Sequence, residues 1–313
     1  MIFGDIMYTR NPGKDAVLFI KAFVSNQLAK FAPKLYVDIT RQTGRGKKEE
    51  PHQASAYFIE CFQDFIQQLG FEVGEAKKFL EGKKILEYGP GDTLGVALLL
   101  YAHGAEAVHC VDRFPLSKMS STNVEVYKQL LESLDTECRM RADNAFIEKG
   151  NPSSGFDTGA IAYQVTKNGL SGAIGEYDLI ISRSVLEHVN NLEETMLDIK
   201  RSMKDKGIAI HKVDLKSHGL DRYTSFDFLT WPTPVYKLMY SHKGFPNRWR
   251  VNRYKEFAEK SKLHMKKLTP TGQLDRDKLD IVFSKLAGEF RDISADELSW
   301  LGFWMFLEHP NSR

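Results

Sequence analysis

Residues suited to hold a nucleoside stand close together near residue 90. Glu87, Gly89 and Gly91 follow one apolar stretch, and Asp112 ends the next apolar stretch along the chain. Glycines let a backbone approach a ligand closely, and an acid at the tip of a neighbouring strand can accept hydrogen bonds from ribose hydroxyls. These residues predict a site for a nucleoside-containing cofactor.

The turn itself narrows the choice of cofactor. A dinucleotide fingerprint needs a third glycine where this chain has Leu94, and Gly95 comes one residue late. Glu87 would repel a pyrophosphate, but its charge suits a cofactor that carries an amino group and a sulfonium. The sequence therefore favours S-adenosylmethionine.

Candidate catalytic residues follow the apolar stretch 207–213. His211, Asp214 and His218 lie within eight residues. Transfer from a sulfonium gains most from positioning, and a hydroxyl or amine acceptor also needs a base to take its proton. We expect His211 to be that base, with Asp214 or His218 as its orienter, or as the base if His211 faces the core.

Candidate substrate-binding residues lie in an aromatic segment, 214–253. Arg248, Arg250 and Arg253 flank Trp249 and could clamp a phosphate or a carboxylate, because the planar guanidinium suits such oxygens. A solvated surface is the other interpretation of these arginines. The aromatic residues of the segment favour packing over base stacking.

The motif Glu87-x-Gly89-x-Gly91 followed by Asp112 resembles the first two motifs of class I S-adenosylmethionine-dependent methyltransferases. Residues 177–189 look like that family's fourth strand and the start of its next helix. The resemblance implies an α/β fold, a Rossmann-like, doubly wound sheet of seven strands, and methyltransferase activity.

The resemblance also implies two further cofactor contacts. Asp143 fits the family position that contacts the adenine amino group, although an exposed turn acid is the other interpretation, and Ser182 lies in the fourth-strand motif. Thr93 stands where many members have a third glycine. The resemblance therefore does not predict which residues contact the methionine end of the cofactor.

A finer resemblance concerns the acceptor. The spacing of His211, Asp214 and His218, followed by Arg248-Trp249-Arg250, is similar to a branch of methyltransferases from bacterial surface-polysaccharide gene clusters. This implies methylation of a small polar acceptor, above all a hydroxyl of a sugar or sugar conjugate. The alternatives are an RNA or protein methyltransferase and a cofactor-binding relative without catalysis.

A metal site is the alternative function for Glu187 and His188. Some methyltransferases of small molecules and RNA ends bind a metal with a Glu-x-x-Glu-His cluster at this place. Here Ser184 replaces the first glutamate, so two ligands are missing from the sequence and no metal is expected.

The elements that must position these residues form two parts. Residues 15–32 and 53–69 carry helical apolar spacing, which predicts an N-terminal helical extension over residues 1–79. From residue 80 to 313, strands and helices alternate, which predicts the cofactor-binding catalytic domain, with 214–253 as an inserted substrate lid.

Composition agrees with a cytoplasmic enzyme, and the partner that the resemblance implies is a saccharide or another small molecule, neutral or anionic. The 313 residues carry 43 basic and 41 acidic side chains, a net charge of +2, so we expect no nucleic-acid partner. No apolar run is long enough to span a bilayer. Three scattered cysteines indicate reduced thiols.

Overall fold

One sheet of seven strands organises the protein. The computed structural model describes residues 10–40 and 49–312, so parts of the predicted N-terminal extension (1–9 and 41–48) lie outside the described residues. The strand order is β3-β2-β1-β4-β5-β7-β6. The strands are β1 (Lys84–Tyr88), β2 (Ala107–Asp112), β3 (Ile161–Val165), β4 (Tyr177–Arg183), β5 (Met203–Asp214), β6 (His264–Gln273) and β7 (Trp300–Glu308). The expected seven-stranded α/β sheet is confirmed.

The direction of the strands creates a crevice at one edge of the sheet. Strands β1 to β5 pair in parallel, and β7 pairs antiparallel with both β5 and β6. The order reverses between β1 and β4, so the connections that leave these two strands diverge to opposite sides. A crevice opens outside the carboxyl ends at such a point.

Helices cover both faces of the sheet. Their starts carry the expected caps: the Asn191 side chain accepts the N–H of Glu194, and Ser294 Oγ accepts that of Glu297. Along the described residues the helices are α1 (Pro12–Phe31), α2 (Pro33–Thr40), α3 (Pro51–Gln68), α4 (Ala76–Leu80), α5 (Gly95–Ala102), α6 (Ser121–Glu132), α7 (Thr136–Asp143), α8 (Leu192–Ser202), α9 (Thr233–Tyr240), α10 (Val251–Lys260), α11 (Arg276–Phe283) and α12 (Ala295–Ser299).

The side chains of β1 point alternately to the two faces of the sheet, and each face has its own apolar core. Ile85 packs with α3, α5 and α6 on one face, whereas Leu86 and Tyr88 pack with α8 and α10 on the other. Helix α3 approaches α5 so closely that a Cβ added at Gly95 would overlap the ring of Phe58. The glycine at this position therefore lets α3 seat against the sheet domain.

A third apolar cluster joins the N-terminal helix to the segment 214–253. Ala22 of α1 packs with Phe226, Phe228 and Met239. The Asn26 side chain donates to the carbonyl of Leu238 at 2.9 Å. Helix α1 thus holds one side of this segment in place. None of the helices among the described residues combines the length and apolar character needed to cross a membrane.

Candidate active site

A cavity of about 600 Å³ lies at the carboxyl ends of the central strands. Its wall includes Gly89 and Gly91 after β1, Asp112 at the end of β2, Ser184 after β4 and Asp214 at the end of β5. These residues come from four strands, and the sheet order brings them to one crevice. This is the place where a doubly wound sheet binds its ligand.

The glycine turn forms a bare surface in this cavity. Gly89 and Gly91 have φ angles of 64° and 80°, in the left-handed region that glycine adopts without strain. A Cβ added at Gly89 would overlap the side chain of Val185. Both glycines also line the cavity, so backbone is exposed to a ligand at this turn, which fits the close approach of a nucleoside cofactor.

Two acids flank the turn, and they face different surroundings. Asp112 lines the cavity, where its Oδ1 accepts the N–H of Phe114 at 3.0 Å and burial raises its pKa to about 6. Glu87 is buried at the end of β1, with Cys110 Sγ 3.6 Å from its Oε2, and burial raises its pKa to about 7. Glu87 is not part of the cavity wall, so only Asp112 is placed to meet a ligand directly.

His211 faces the core and not the cavity. Its side chain is fully buried, its Nδ1 lies 2.7 Å from Ser182 Oγ, and its Nε2 has no hydrogen-bond partner in the part of the chain that the structure describes. Burial lowers the pKa of His211 to about 3. The expected placement of His211 opposite the cofactor is therefore wrong, because its strand is buried on both faces and this position points inward.

Asp214 and His218 do line the cavity. Asp214 ends β5, and its Oδ1 accepts the N–H of Lys216 at 2.9 Å. His218 follows in the next loop, with its Nε2 3.9 Å from Glu187 Oε1. The structure thus brings together the two residues expected to replace His211 if it faced the core.

The arginines expected to clamp an anion hold the fold together instead. Arg248 is buried and donates to the carbonyls of Phe228 and Trp231, and Arg250 donates to those of Leu215 and Leu298. Neither side chain reaches the cavity.

The two flanking members of that set also lie elsewhere. Arg253 is exposed and paired with Glu256, and Trp249 packs edge-on against Phe257. Charge alone could not distinguish buried arginines that bind carbonyls from an anion clamp, and none of the four residues expected to form the clamp lines the cavity.

Two expected cofactor contacts are also absent from the cavity wall. Asp143 ends α7, before β3, and its Oδ1 accepts a hydrogen bond from Arg139 Nε at 3.0 Å. Ser182 is buried beside His211. Position in a motif was a poor guide here because the chain between β2 and β3 forms two helices.

Sequence reasoning missed the cations of the cavity. Arg113 and Lys243 are the basic residues that line it among the described residues. Arg113 lies 4.7 Å over the ring of Phe114, and its buried Nη1 has no hydrogen-bond partner. Lys243 Nζ donates to Ser25 Oγ at 2.9 Å, and burial lowers the pKa of Lys243 to about 8. The sequence offered one signal for Arg113: it directly follows Asp112, a residue already expected at the cofactor site.

Three solved structures with a similar chain course are distant from this protein in sequence. A candidate sarcosine dimethylglycine methyltransferase from Galdieria sulphuraria is 14% identical over 81% of this chain and 86% of its own, with a TM-score of 0.46. An S-adenosylmethionine-dependent methyltransferase from Mesorhizobium loti is 15% identical over 74% and 92%, with a TM-score of 0.41. A geranyl diphosphate methyltransferase in complex with S-adenosylmethionine is 11% identical over 76% and 85%, with a TM-score of 0.39.

The family is given by sequence, because these TM-scores are too low to carry an argument. No curated protein matches the chain. The family model of the methyltransferase domain matches residues 55–258, from α3 through α10. That stretch contains the glycine turn, Asp112 and the fourth-strand motif. The chain therefore belongs to the methyltransferase-domain family, and it is an enzyme that uses S-adenosylmethionine.

Proposed function

We propose that the protein transfers a methyl group from S-adenosylmethionine to a hydroxyl of a sugar or sugar conjugate. The observation that carries this proposal is that one cavity joins Gly89, Gly91 and Asp112 on its cofactor side to Asp214 and His218. Its volume of about 600 Å³ lies in the range of sites for small molecules. An acceptor between the two sides would have its oxygen close to a proton acceptor.

The chemistry assigned to this chain is positioning and removal of one proton. S-adenosylmethionine supplies an activated methyl group. The glycine turn and Asp112 hold its nucleoside, and Asp214 or His218 takes the proton of the acceptor hydroxyl. We expect Glu87 to act on the cofactor only through its charge behind the turn.

Arg113 and Lys243 favour an acceptor with an anionic group, such as a sugar phosphate or a uronate. They take over the role that Arg248, Arg250 and Arg253 were expected to play. An RNA or protein acceptor is less favoured because the net charge is only +2. The cytoplasm stays the expected location.

The test is methyl transfer to a panel of free sugars, sugar phosphates and nucleotide sugars. We expect one methyl group in the product per S-adenosylhomocysteine released. Asp214→Asn should lower kcat by roughly 10²- to 10⁴-fold, the usual contribution of a positioned base. Asp277→Asn, at an exposed acid of α11, is the matched control and should retain the kcat of the wild type.

Two results would count against the proposal. Methylation of RNA or protein substrates with no turnover of any saccharide would assign the acceptor to the other class. Full turnover by Asp214→Asn and by His218→Ala would remove both from proton transfer.

A further inference from the structure

A buried acid lies directly behind the wall of the cavity, beside two histidines that line it. Glu187 is 2% exposed, and both of its carboxylate oxygens are buried. The Nδ1 of its neighbour His188 is also buried. A buried carboxylate in this state is costly unless a proton or a cation neutralises it.

Two histidines converge on this carboxylate. Glu187 Oε1 lies 3.8 Å from His188 Nε2 and 3.9 Å from His218 Nε2. One ligand atom from each of the three residues can be chosen so that all lie within 4.8 Å of one another. Ligand atoms around a tetrahedral Zn²⁺ are roughly 3.3 Å apart, given bonds of about 2.0 Å. The two distances to Glu187 would need to shorten by only about half an ångström.

The loop that carries Glu187 and His188 is held in place from outside. The backbone N–H of Asn247 donates to the Glu187 carbonyl at 2.6 Å, and its side chain donates to the carbonyls of Leu186 and Val189. One side chain and one backbone group thus fix both ends of the turn. The backbone that carries Glu187 and His188 is therefore held in one conformation.

Backbone strain occurs at the same place. Ser184 and His218 have φ angles of 53° and 50°, which are uncommon for residues other than glycine. Both residues line the cavity. Strain of this kind persists only where surrounding structure enforces it, and it clusters at functional sites.

We propose that Glu187, His188 and His218 bind one divalent transition-metal ion. Two imidazoles and one carboxylate form a common ligand set of catalytic metal sites, in which a further coordination position stays open. His188 and His218 line the cavity, so a metal ion held by them would be accessible to the acceptor. Ser184 replaces the first glutamate of the Glu-x-x-Glu-His motif. In its place His218, in the loop after β5, provides the third ligand.

The catalytic consequence rests on the proposed function. A cation held by Glu187, His188 and His218 would lower the pKa of an acceptor hydroxyl that reached its open coordination position. With His218 as a ligand, Asp214 accepts the hydroxyl proton. The oxygen then bonds to the methyl carbon as the carbon–sulfur bond breaks, and the bonding pair stays on sulfur in S-adenosylhomocysteine. Atoms and charge balance without any redox partner.

Co²⁺ binding by the full-length, chelator-treated protein tests the site without any acceptor. We expect one equivalent of Co²⁺ to bind, to give visible d–d absorption and to be displaced by Zn²⁺. Glu187→Gln, His188→Ala and His218→Ala should each weaken Co²⁺ binding at least tenfold. His103→Ala is the matched control, because His103 lies at the end of α5 beside Phe62 and should leave Co²⁺ binding unchanged.

Calorimetric titration with S-adenosylmethionine shows which variants have folded. A variant that keeps its cofactor affinity and loses Co²⁺ supports the site. The inference is overturned if the wild type binds no stoichiometric Co²⁺, or if Glu187→Gln binds it as the wild type does. Failure of the proposed function would appear differently, as intact Co²⁺ absorption with no methylated saccharide.

Discussion

Asp112 and Asp143 are two acids that look alike in the sequence and differ in the structure. Asp112 lines the cavity, whereas Asp143 is paired with Arg139. We predict that Asp112→Asn weakens S-adenosylmethionine binding by about 1 to 3 kcal/mol, the scale of a hydrogen bond to a charged group. Asp143→Asn should leave the affinity unchanged. Calorimetric titration of both variants measures this, and equal losses would contradict the assignment.

Burial of His211 should make the stability of the protein sensitive to acid. The pKa of His211 is about 3 in the folded protein and about 6.5 when unfolded. As pH falls below about 6.5, the unfolded chain binds the extra proton, so the free energy of unfolding falls by about 1.4 kcal/mol per pH unit. His211→Asn should be less stable at pH 7 and should lack this dependence.

Urea denaturation between pH 6.5 and 4.5 measures the difference in slope between wild type and variant. Other titrating groups are common to both proteins and cancel in the comparison. His52→Asn, at an exposed histidine of α3, is the control and should keep the wild-type slope. Parallel curves for wild type and His211→Asn would show that His211 is protonated in the folded state.

The positions of single residues could be predicted where backbone conformation or the end of a strand determines them. The sequence predicted that the glycine turn and Asp112 lie at the ligand crevice, for two reasons. Glycine is needed where backbone approaches a ligand, and the carboxyl ends of parallel strands line the crevice. His211 was misplaced because the sequence of a strand buried on both faces does not reveal which face a residue takes. The cluster of Glu187, His188 and His218 was missed because its third member is 30 residues away in sequence and close only in space.

At the scale of elements, the turn after β1 depends on Val185 as well as on its glycines. Gly89 and Gly82 have similar positive φ angles, 64° and 69°, but a Cβ would overlap Val185 at Gly89 and would meet nothing within 4 Å at Gly82. We predict that Gly82→Ala loses about 1 to 2 kcal/mol from backbone strain alone. Gly89→Ala should lose more, as measured by urea denaturation.

Adding Val185→Ala to Gly89→Ala isolates the steric part of that loss. The double variant should recover stability toward that of Gly82→Ala, because the backbone strain remains while the overlap is removed. If Gly89→Ala and Gly82→Ala lose the same amount, the turn has moved away from Val185, and the bare backbone surface is not enforced by packing.

Arg250 anchors the segment 214–253 to the sheet. It is 1% exposed, and its guanidinium donates to the carbonyls of Leu215, Leu298 and Trp300. We predict that Arg250→Met lowers the free energy of unfolding by about 3 kcal/mol or more, because buried carbonyls lose their donors. Arg253→Met, at an exposed pair with Glu256, should change it by at most about 1 kcal/mol. A raised KM at unchanged stability in Arg250→Met would restore the clamp.

Most helices and strands could be predicted from the sequence, but the elements against which they pack could not. The alternation of strands and helices after residue 80 was predicted from apolar periodicity, whereas the two helices between β2 and β3 were not. The part of 214–253 that packs on α1 could not be predicted, since an aromatic segment reads the same as a mobile lid or as a packed core. Phe226 and Phe228 are buried, which shows that the part of the segment next to α1 is packed core.

For the whole molecule, cofactor and fold should stabilise each other. A ligand that binds only the folded state adds RT ln(1 + [L]/Kd), about 2.7 kcal/mol at a hundredfold excess over Kd. We predict that S-adenosylmethionine at that excess raises the urea midpoint accordingly. NAD⁺ is the control and should not, because Leu94 replaces the third glycine of a dinucleotide turn. An unchanged midpoint at saturation would mean that the cofactor also binds the unfolded chain.

The position of β7 in the sheet constrains how the protein can be made. It lies between β5 and β6, although the ribosome produces it after both. Until β7 emerges, β5 has an open edge and β6 has no strand to pair with, and such unpaired edges favour aggregation. Strand β6 carries Pro270, which suits only an edge, so it cannot act as a central strand in the meantime. A stop codon within β7 would therefore remove two strands from the sheet and not one.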